Sequence, residues 1–511
     1  MTRVGLIAAV LASLGQRAVA QEPYPGFEAY VTKALQGLKT PGAAVAIVRN
    51  DSVIYAKGFG LRAAGDPAVV DERTLFEIGS STKAFTATLV AMLVSDGKMQ
   101  FDDLVTKYLP DFKLFDPVAS AQVTIRDALV HRSGIGRGEV VWLDAGTSRE
   151  DVLHRVRFLK PESPFRSKWS YQNMMYLAAG EAAAKAAGGT WDDLVQQRIM
   201  TPLGMTSSSP THRGIDARNL ATPHIMESDS ALRMPPFLAE NIAPAGSIVS
   251  SVTDMAQWLR FQLNDGVVGG RRLLSTAALR ETHSPQMVLG ENDPTVGDAS
   301  LFHTYGMGWF VQDYRHELMW QHGGNTPGMT AAVGMLPQKQ FGVVILSNMD
   351  HTPLPAMLMR YLFDRHLGAP VKDYVGEALA RIAGRRPPAD TSAPHQPVAA
   401  PLPLTAYVGT FADSLYGEAT VSIQNGRLEL VRGLQHGPLE YWNATNFRWS
   451  SNGSIPALNR YIKFDVTADN KVTGLYFGYP PDIMLLGRKR TAAGNARRSP
   501  PNFLGATIRE P

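Results

Sequence analysis

Phe76-Glu77-Ile78-Gly79-Ser80-Ser81-Thr82-Lys83-Ala84-Phe85 joins a Ser-x-x-Lys tetrad to a preceding glycine, and an apolar run from Thr86 to Val94 continues it. That run reads as a helix. If it begins near Ser80, a spacing of three puts Ser80 and Lys83 on one face, one turn apart. A serine hydroxyl is a poor nucleophile until a neighbour takes its proton, and a lysine held beside it can do so. A helix N-terminus adds partial positive charge and free N–H groups where an oxyanion forms. Serine and lysine are common, so the tetrad gains meaning only from partner motifs farther along the chain.

Two such motifs occur, in order. Trp169-Ser170-Tyr171-Gln172-Asn173 precedes a helical run over residues 174–187 and reads as a loop presenting a phenol and an amide to a cleft. A tyrosine titrates near pH 10, and a neighbouring lysine cation is expected to lower that value. Trp320-Gln321-His322-Gly323-Gly324-Asn325-Thr326-Pro327-Gly328 then lies between strand-like runs. Its two glycines allow close backbone approach and leave N–H groups to aim at an oxyanion. His131, before Ser133-Gly134, reads as structural, and Tyr176 as a packing residue.

Ser80-Ser81-Thr82-Lys83, Tyr171-Gln172-Asn173 and His322-Gly323-Gly324, in that order, resemble the class C β-lactamase and penicillin-recognising serine hydrolase family over residues 25–370. The resemblance implies an α+β, β-lactamase-like fold: an antiparallel sheet flanked by helices, plus a helical lobe. It implies Ser80 as the acylated nucleophile, Lys83 as its activating partner, and Tyr171 as general base and leaving-group acid. Asn173, His322, Gly323, Gly324 and Asn325 become substrate-binding positions, with the N–H groups of Ser80 and Asn325 as oxyanion donors. No metal or other cofactor is implied. The third motif departs from the β-lactamases, which have lysine where this chain has His322. Histidine is mostly neutral near pH 7, so the departure points to peptide or ester cleavage, as in the family's D-aminopeptidases, esterases and peptidases of linear peptides. A β-lactamase or D,D-peptidase is the alternative within enzymes; a non-catalytic peptidoglycan or β-lactam binder is the alternative outside them.

The rest of the chain is read around this body. At 511 residues it is long enough for a large catalytic domain and an appendage. Residues 1–20 read as a cleavable leader: Arg3, an apolar run, then Ala18-Val19-Ala20 before Gln21. The run is about half the roughly 20 residues a membrane span needs, so a periplasmic or secreted protein without stable membrane insertion is expected. Setting Arg3 and Arg17 aside leaves 48 basic against 46 acidic side chains, which gives no case for nucleic acid. The absence of cysteine excludes disulfides, thiolate metal sites and a cysteine nucleophile. His316-Glu317 lacks the second histidine of a His-Glu-x-x-His zinc motif, and no Gly-x-Ser-x-Gly elbow occurs.

Residues 42–49 and 52–60 read as a hairpin turning at Asn50-Asp51. Residues 243–247 read as a loop, 251–263 as an amphipathic helix, and 305–311, 318–322, 329–336 and 341–347 as strands. The hydrolase domain is expected over residues 21–384 and a proline-rich linker over 385–403. Residues 404–490 alternate short β runs with turns, as in a small antiparallel barrel. With Tyr407-Val408-Gly409-Thr410-Phe411 near its start, this part resembles the lipocalin-like C-terminal domain of many family members. A basic tail, 491–511, is expected to be disordered. The long linker leaves the barrel able to reach and cap the cleft. The expected partner is a small-molecule or peptide substrate; the oligomeric state stays open.

Overall fold

The computed structural model describes residues 22–488, apart from 144–145, 228, 290–299, 371, 386–399, 434, 444, 452–461 and 480–481. The proposed leader, most of the linker and the basic tail lie outside the described residues. An eight-stranded antiparallel sheet forms the body, in the order Ser52–Gly60, Gly42–Arg49, Phe341–Ser347, Met329–Leu336, Glu317–Thr326, Phe310–Tyr314, His303–Tyr305 and Met287–Val288. The first hairpin thus lies against the last strand of the domain, closing the sheet from chain segments about 300 residues apart.

The central strands are apolar at nearly every position because both faces are covered. Ala43, Val45 and Ile47 face one core, with the helices Phe27–Gly37, Leu354–His366 and Tyr374–Arg385. Ala44, Ala46 and Val48 face the other, with the helices Thr82–Ser95 and Val252–Leu263. The helix Thr82–Ser95 is buried at every position from Thr82 to Leu93, its lysine and threonines included. Phe85 stacks on Trp258 at 3.8 Å on the sheet side, and the helix Asn173–Ala187 packs beside it to build the helical lobe.

Two expectations are corrected. The run at 305–311 is two antiparallel strands, His303–Tyr305 and Phe310–Tyr314, paired Tyr305 to Phe310; Gly308, at φ 78°, makes the reversal. The segment 243–247 is a short helix, Ala243–Gly246, with Pro244 in its first turn.

Beyond the linker, eight strands from Gly409–Asp413 to Asp482–Arg488 close into an antiparallel barrel, its first strand paired with its last. Closure removes the sheet edges. The interior is filled by Tyr407, Phe411, Phe447, Phe464, Leu475 and other apolar side chains. Among the described residues no helix is long and apolar enough to cross a membrane.

Candidate active site

Ser80 sits in a 3-10 turn, Gly79–Ser81, that runs directly into the helix starting at Thr82. The helix begins two residues later than Ser80, yet the spacing works as expected: Lys83 Nζ lies 3.1 Å from Ser80 Oγ. Lys83 is wholly buried. Its nitrogen also donates to Asn173 Oδ1 at 2.7 Å and to the Ala245 carbonyl at 2.9 Å. Those two partners can only accept. A neutral amine has two hydrogens and one lone pair, so with both hydrogens placed on these carbonyls the lone pair is left for the Ser80 hydroxyl. Burial pushes the Lys83 pKa well below the ordinary lysine range; the Glu139 carboxylate opposes this and the Arg137 cation reinforces it.

Tyr171 immediately precedes the N-cap of the helix Asn173–Ala187, where Gln172 accepts from the Met174 N–H. His131 holds this segment in place. Its carbonyl accepts from Ser170 N at 2.7 Å and its Nδ1 from Gln172 N at 3.0 Å, the structural role expected of it. The phenol lies beside Ser80, and Lys83 Nζ lies 4.7 Å from the ring centroid. The expected lowering of the phenol pKa is reversed: burial raises it above the ordinary tyrosine value, opposed by the nearby Ser80 hydroxyl and by the Arg137 cation. The physical reason is that the pocket disfavours every charge, the lysine's included. Tyr176 packs as expected, its hydroxyl donating to the Leu129 carbonyl at 2.6 Å.

The third motif lies at the end of a strand, Glu317–Thr326. Its neighbour Phe310–Tyr314 stops pairing at Gln321, so residues 322–326 form a local sheet edge, and that edge faces the Ser80 turn. The approach is so close that a Cβ on Gly324 would lie 1.8 Å from the Ile78 carbonyl oxygen and 3.2 Å from Ser80 N. A Cβ on Gly79 would lie 2.7 Å from Asn325 N. Glycine at both positions brings the backbones of Ser80 and Asn325 together. His322 is 3% exposed. Its Nδ1 pairs with the Gly323 carbonyl at 2.6 Å and its Nε2 with the Tyr305 hydroxyl at 3.1 Å. Burial, with Lys83 nearby, lowers its pKa to about 3, so the imidazole is neutral and both of its nitrogens are engaged.

Several neighbours carried no sequence signal. Arg137 stands 5.2 Å over the Tyr171 ring and donates to Glu139 Oε1. Glu139 Oε1 in turn lies 3.5 Å from Asn173 Nδ2. Ala245 contributes only a carbonyl, which no residue-type pattern can reveal. Glu77 is buried behind the turn, accepts from Phe237 N at 2.8 Å, and has a pKa raised by burial to about 7.

A family model described as Beta-lactamase matches residues 27–388. The chain belongs to this family of serine hydrolases. A second model, a domain of unknown function (DUF3471), matches residues 393–485 of this beta-lactamase-family protein. Among curated relatives, a protein named Unguisins hydrolase ungD from Aspergillus violaceofuscus is 28% identical over 447 residues, covering 80% of this chain and 78% of the relative. Protein flp of Staphylococcus aureus is 24% identical over 328 residues, 63% of each. Among solved structures, the octameric penicillin-binding protein homologue from Pyrococcus abyssi aligns with a TM-score of 0.62 at 21% identity, over 90% of this chain and 99% of the other. A class C beta lactamase from Rhodobacter sphaeroides aligns at 0.55 and 20% identity, over 68% and 100%. These likenesses establish a β-lactamase-like fold.

Proposed function

We propose that this hydrolase cleaves a peptide, amide or ester bond through an acyl-Ser80 intermediate, and that its substrates are small or linear peptides. The observation carrying the reading is the Lys83 nitrogen, held by two obligate acceptors with its third contact on the Ser80 hydroxyl. Neutral Lys83 takes the Ser80 proton as Oγ bonds to the substrate carbonyl carbon. The N–H groups of Ser80 and Asn325 receive the developing oxyanion. The bond to the leaving group breaks, and the proton passes from Lys83 by way of the Tyr171 hydroxyl to the departing nitrogen or oxygen. Water then attacks the acyl carbon, gives its proton to Lys83, and Ser80 regains it as the acid product leaves. Tyr171 serves here as a protonated relay rather than as a phenolate base, because burial holds its pKa up.

A neutral His322 with both nitrogens occupied offers no permanent cation to a substrate carboxylate, which favours peptides or esters over β-lactams. Asn173, tied between Lys83 and Glu139, is proposed to hold the lysine as well as the acyl side of the substrate. The relative named a hydrolase of unguisins is consistent with this reading. We further propose export by a leader ending at Ala20, which N-terminal sequencing of the secreted protein tests by starting at Gln21.

The experiment is treatment with a fluorophosphonate and peptide mass spectrometry, then a screen of D- and L-peptides, p-nitrophenyl esters and nitrocefin. The adduct is expected on Ser80, with Ser80→Ala inactive on every substrate. An alanine variant that keeps full turnover would refute the assignment. Rapid nitrocefin hydrolysis would favour a β-lactamase, and acylation without turnover would favour a binding protein.

A further inference from the structure

Residues Glu139–Val141 form a single 3-10 turn, and three residues per turn send consecutive side chains in three different directions. Each meets a different body. Glu139 turns to the active site, where it contacts Arg137 and Asn173. Val140 is buried in the core of the C-terminal barrel. Val141 is buried in the core of the hydrolase domain, and the carbonyl of the next residue, Trp142, accepts from Asn241 at 2.7 Å.

The barrel grips this turn by its backbone as well. Arg432, on the barrel strand Arg427–Arg432, donates from Nη2 to the Val140 carbonyl at 3.0 Å in a buried setting. Its guanidinium stands 5.5 Å over the Phe477 ring, which fixes it from behind. A second anchor keeps the two bodies seated. Leu415, at the tip of the first barrel hairpin, is buried in the hydrolase core, and Tyr416 packs against both cores. The Asp413 carboxylate shapes this tip by accepting from the backbone N–H groups of Leu415 and Tyr416.

We propose that the barrel is a positioning element of the active site: by holding Val140 it fixes Glu139, and through Glu139 the Asn173 amide that orients Lys83. The inference rests on the serine-hydrolase reading of Ser80 and Lys83. It assigns Arg432 and Val140 as positioning residues, both remote from the substrate. Contacts running from Arg432 through Val140 and Glu139 to Asn173 and Lys83 are unbroken, and each is local.

The test uses the full chain with Arg432→Met, Glu139→Gln and the double variant. Arg432→Met keeps an apolar stem over Phe477 and removes the donor. Fluorophosphonate labelling of Ser80 gives a rate that needs no knowledge of the substrate, and p-nitrophenyl acetate gives kcat and KM against pH. Arg432→Met is expected to slow labelling and kcat by roughly fivefold to tenfold, the loss of one buried hydrogen bond, with little change in KM. The double variant is expected to label no more slowly than Glu139→Gln alone. Both single variants are expected to move the acid limb of the kcat profile toward lower pH, because Glu139 raises the Lys83 pKa.

A folded Arg432→Met labelled at the wild-type rate would overturn the proposal, as would losses that multiply in the double variant. Should Arg432→Met not fold, Val140→Ala withdraws the side chain from the barrel core and is expected to slow labelling similarly; wild-type labelling by it is equally fatal. A wild-type protein never labelled at Ser80 sinks the hydrolase reading itself. Labelling of the wild type together with unaffected variants sinks only the role of the barrel.

Discussion

Gly324→Ala tests whether the glycines of the third motif exist for close approach or merely for a turn. The alanine Cβ would lie 1.8 Å from the Ile78 carbonyl oxygen, where real Cβ atoms do not come nearer than about 3.0 Å. The strand must therefore back away from the Ser80 turn by about 1.2 Å, since the Ile78 oxygen belongs to the backbone and a Cβ has no torsion of its own to swing it aside. Overpacking of this kind costs about 1–3 kcal/mol. A displacement on the order of 1 Å at reacting groups lowers rates by roughly a hundredfold. Gly323→Ala is the internal control, because its Cβ would meet only the Ala331 carbonyl at an ordinary 3.5 Å. Ser80 labelling rate, ester turnover and thermal melting should be measured on both variants. Gly324→Ala is expected to lose about two orders of magnitude in turnover and to melt earlier, while Gly323→Ala, free of any close contact, is expected to melt near wild type. Equal behaviour of the two variants would show that the edge strand and the Ser80 turn are not in close contact.

The buried titrating groups give three other outcomes. Lys83 is neutral in the fold above its depressed pKa but protonated in the unfolded chain up to its ordinary value of 10.5, so unfolding takes up one proton in that window. Stability should rise there by about 1.4 kcal/mol per pH unit relative to Lys83→Met, which is also expected to be inactive; parallel urea stabilities at pH 8 and 9 would contradict this. Glu77 has a pKa raised from 4.5 to about 7, so its protonated form favours the fold below pH 4.5 and that advantage is lost as pH rises through 7. Glu77→Gln should therefore match wild type at pH 4 and exceed it by up to about 3 kcal/mol at pH 8, as read by denaturant melts. His322, neutral down to about pH 3, should contribute no limb near pH 6.5 to the kcat/KM profile; a limb there that disappears in His322→Gln would mean the ring is open to solvent.

Much of the site was legible because its chemistry depends on residue types at fixed spacings. Ser80 and Lys83 are three apart on a helix turn, and their contact follows from helix geometry alone. The strands 329–336 and 341–347 and the hairpin at Asn50-Asp51 are written in apolar runs and turn residues, and the structure has them there. What misled was chemistry set by surroundings. A lysine cation beside Tyr171 should lower the phenol pKa, but the same enclosure that brings them together disfavours the cation and the phenolate alike. The helix at Ala243–Gly246 was hidden because proline and glycine in five residues look like a loop, and its contribution, the Ala245 carbonyl, belongs to the backbone.

By itself the sequence determined the family, the order of the three motifs and the presence of a barrel after the proline-rich stretch, since each depends on local pattern and composition. Only the tertiary structure decided which charges survive in the pocket, where the sheet leaves an edge open toward Ser80, and that a single turn at Glu139–Val141 joins the active site to the barrel. Those depend on burial and on contacts between residues hundreds of positions apart, and desolvation and long-range packing leave no periodicity in a chain.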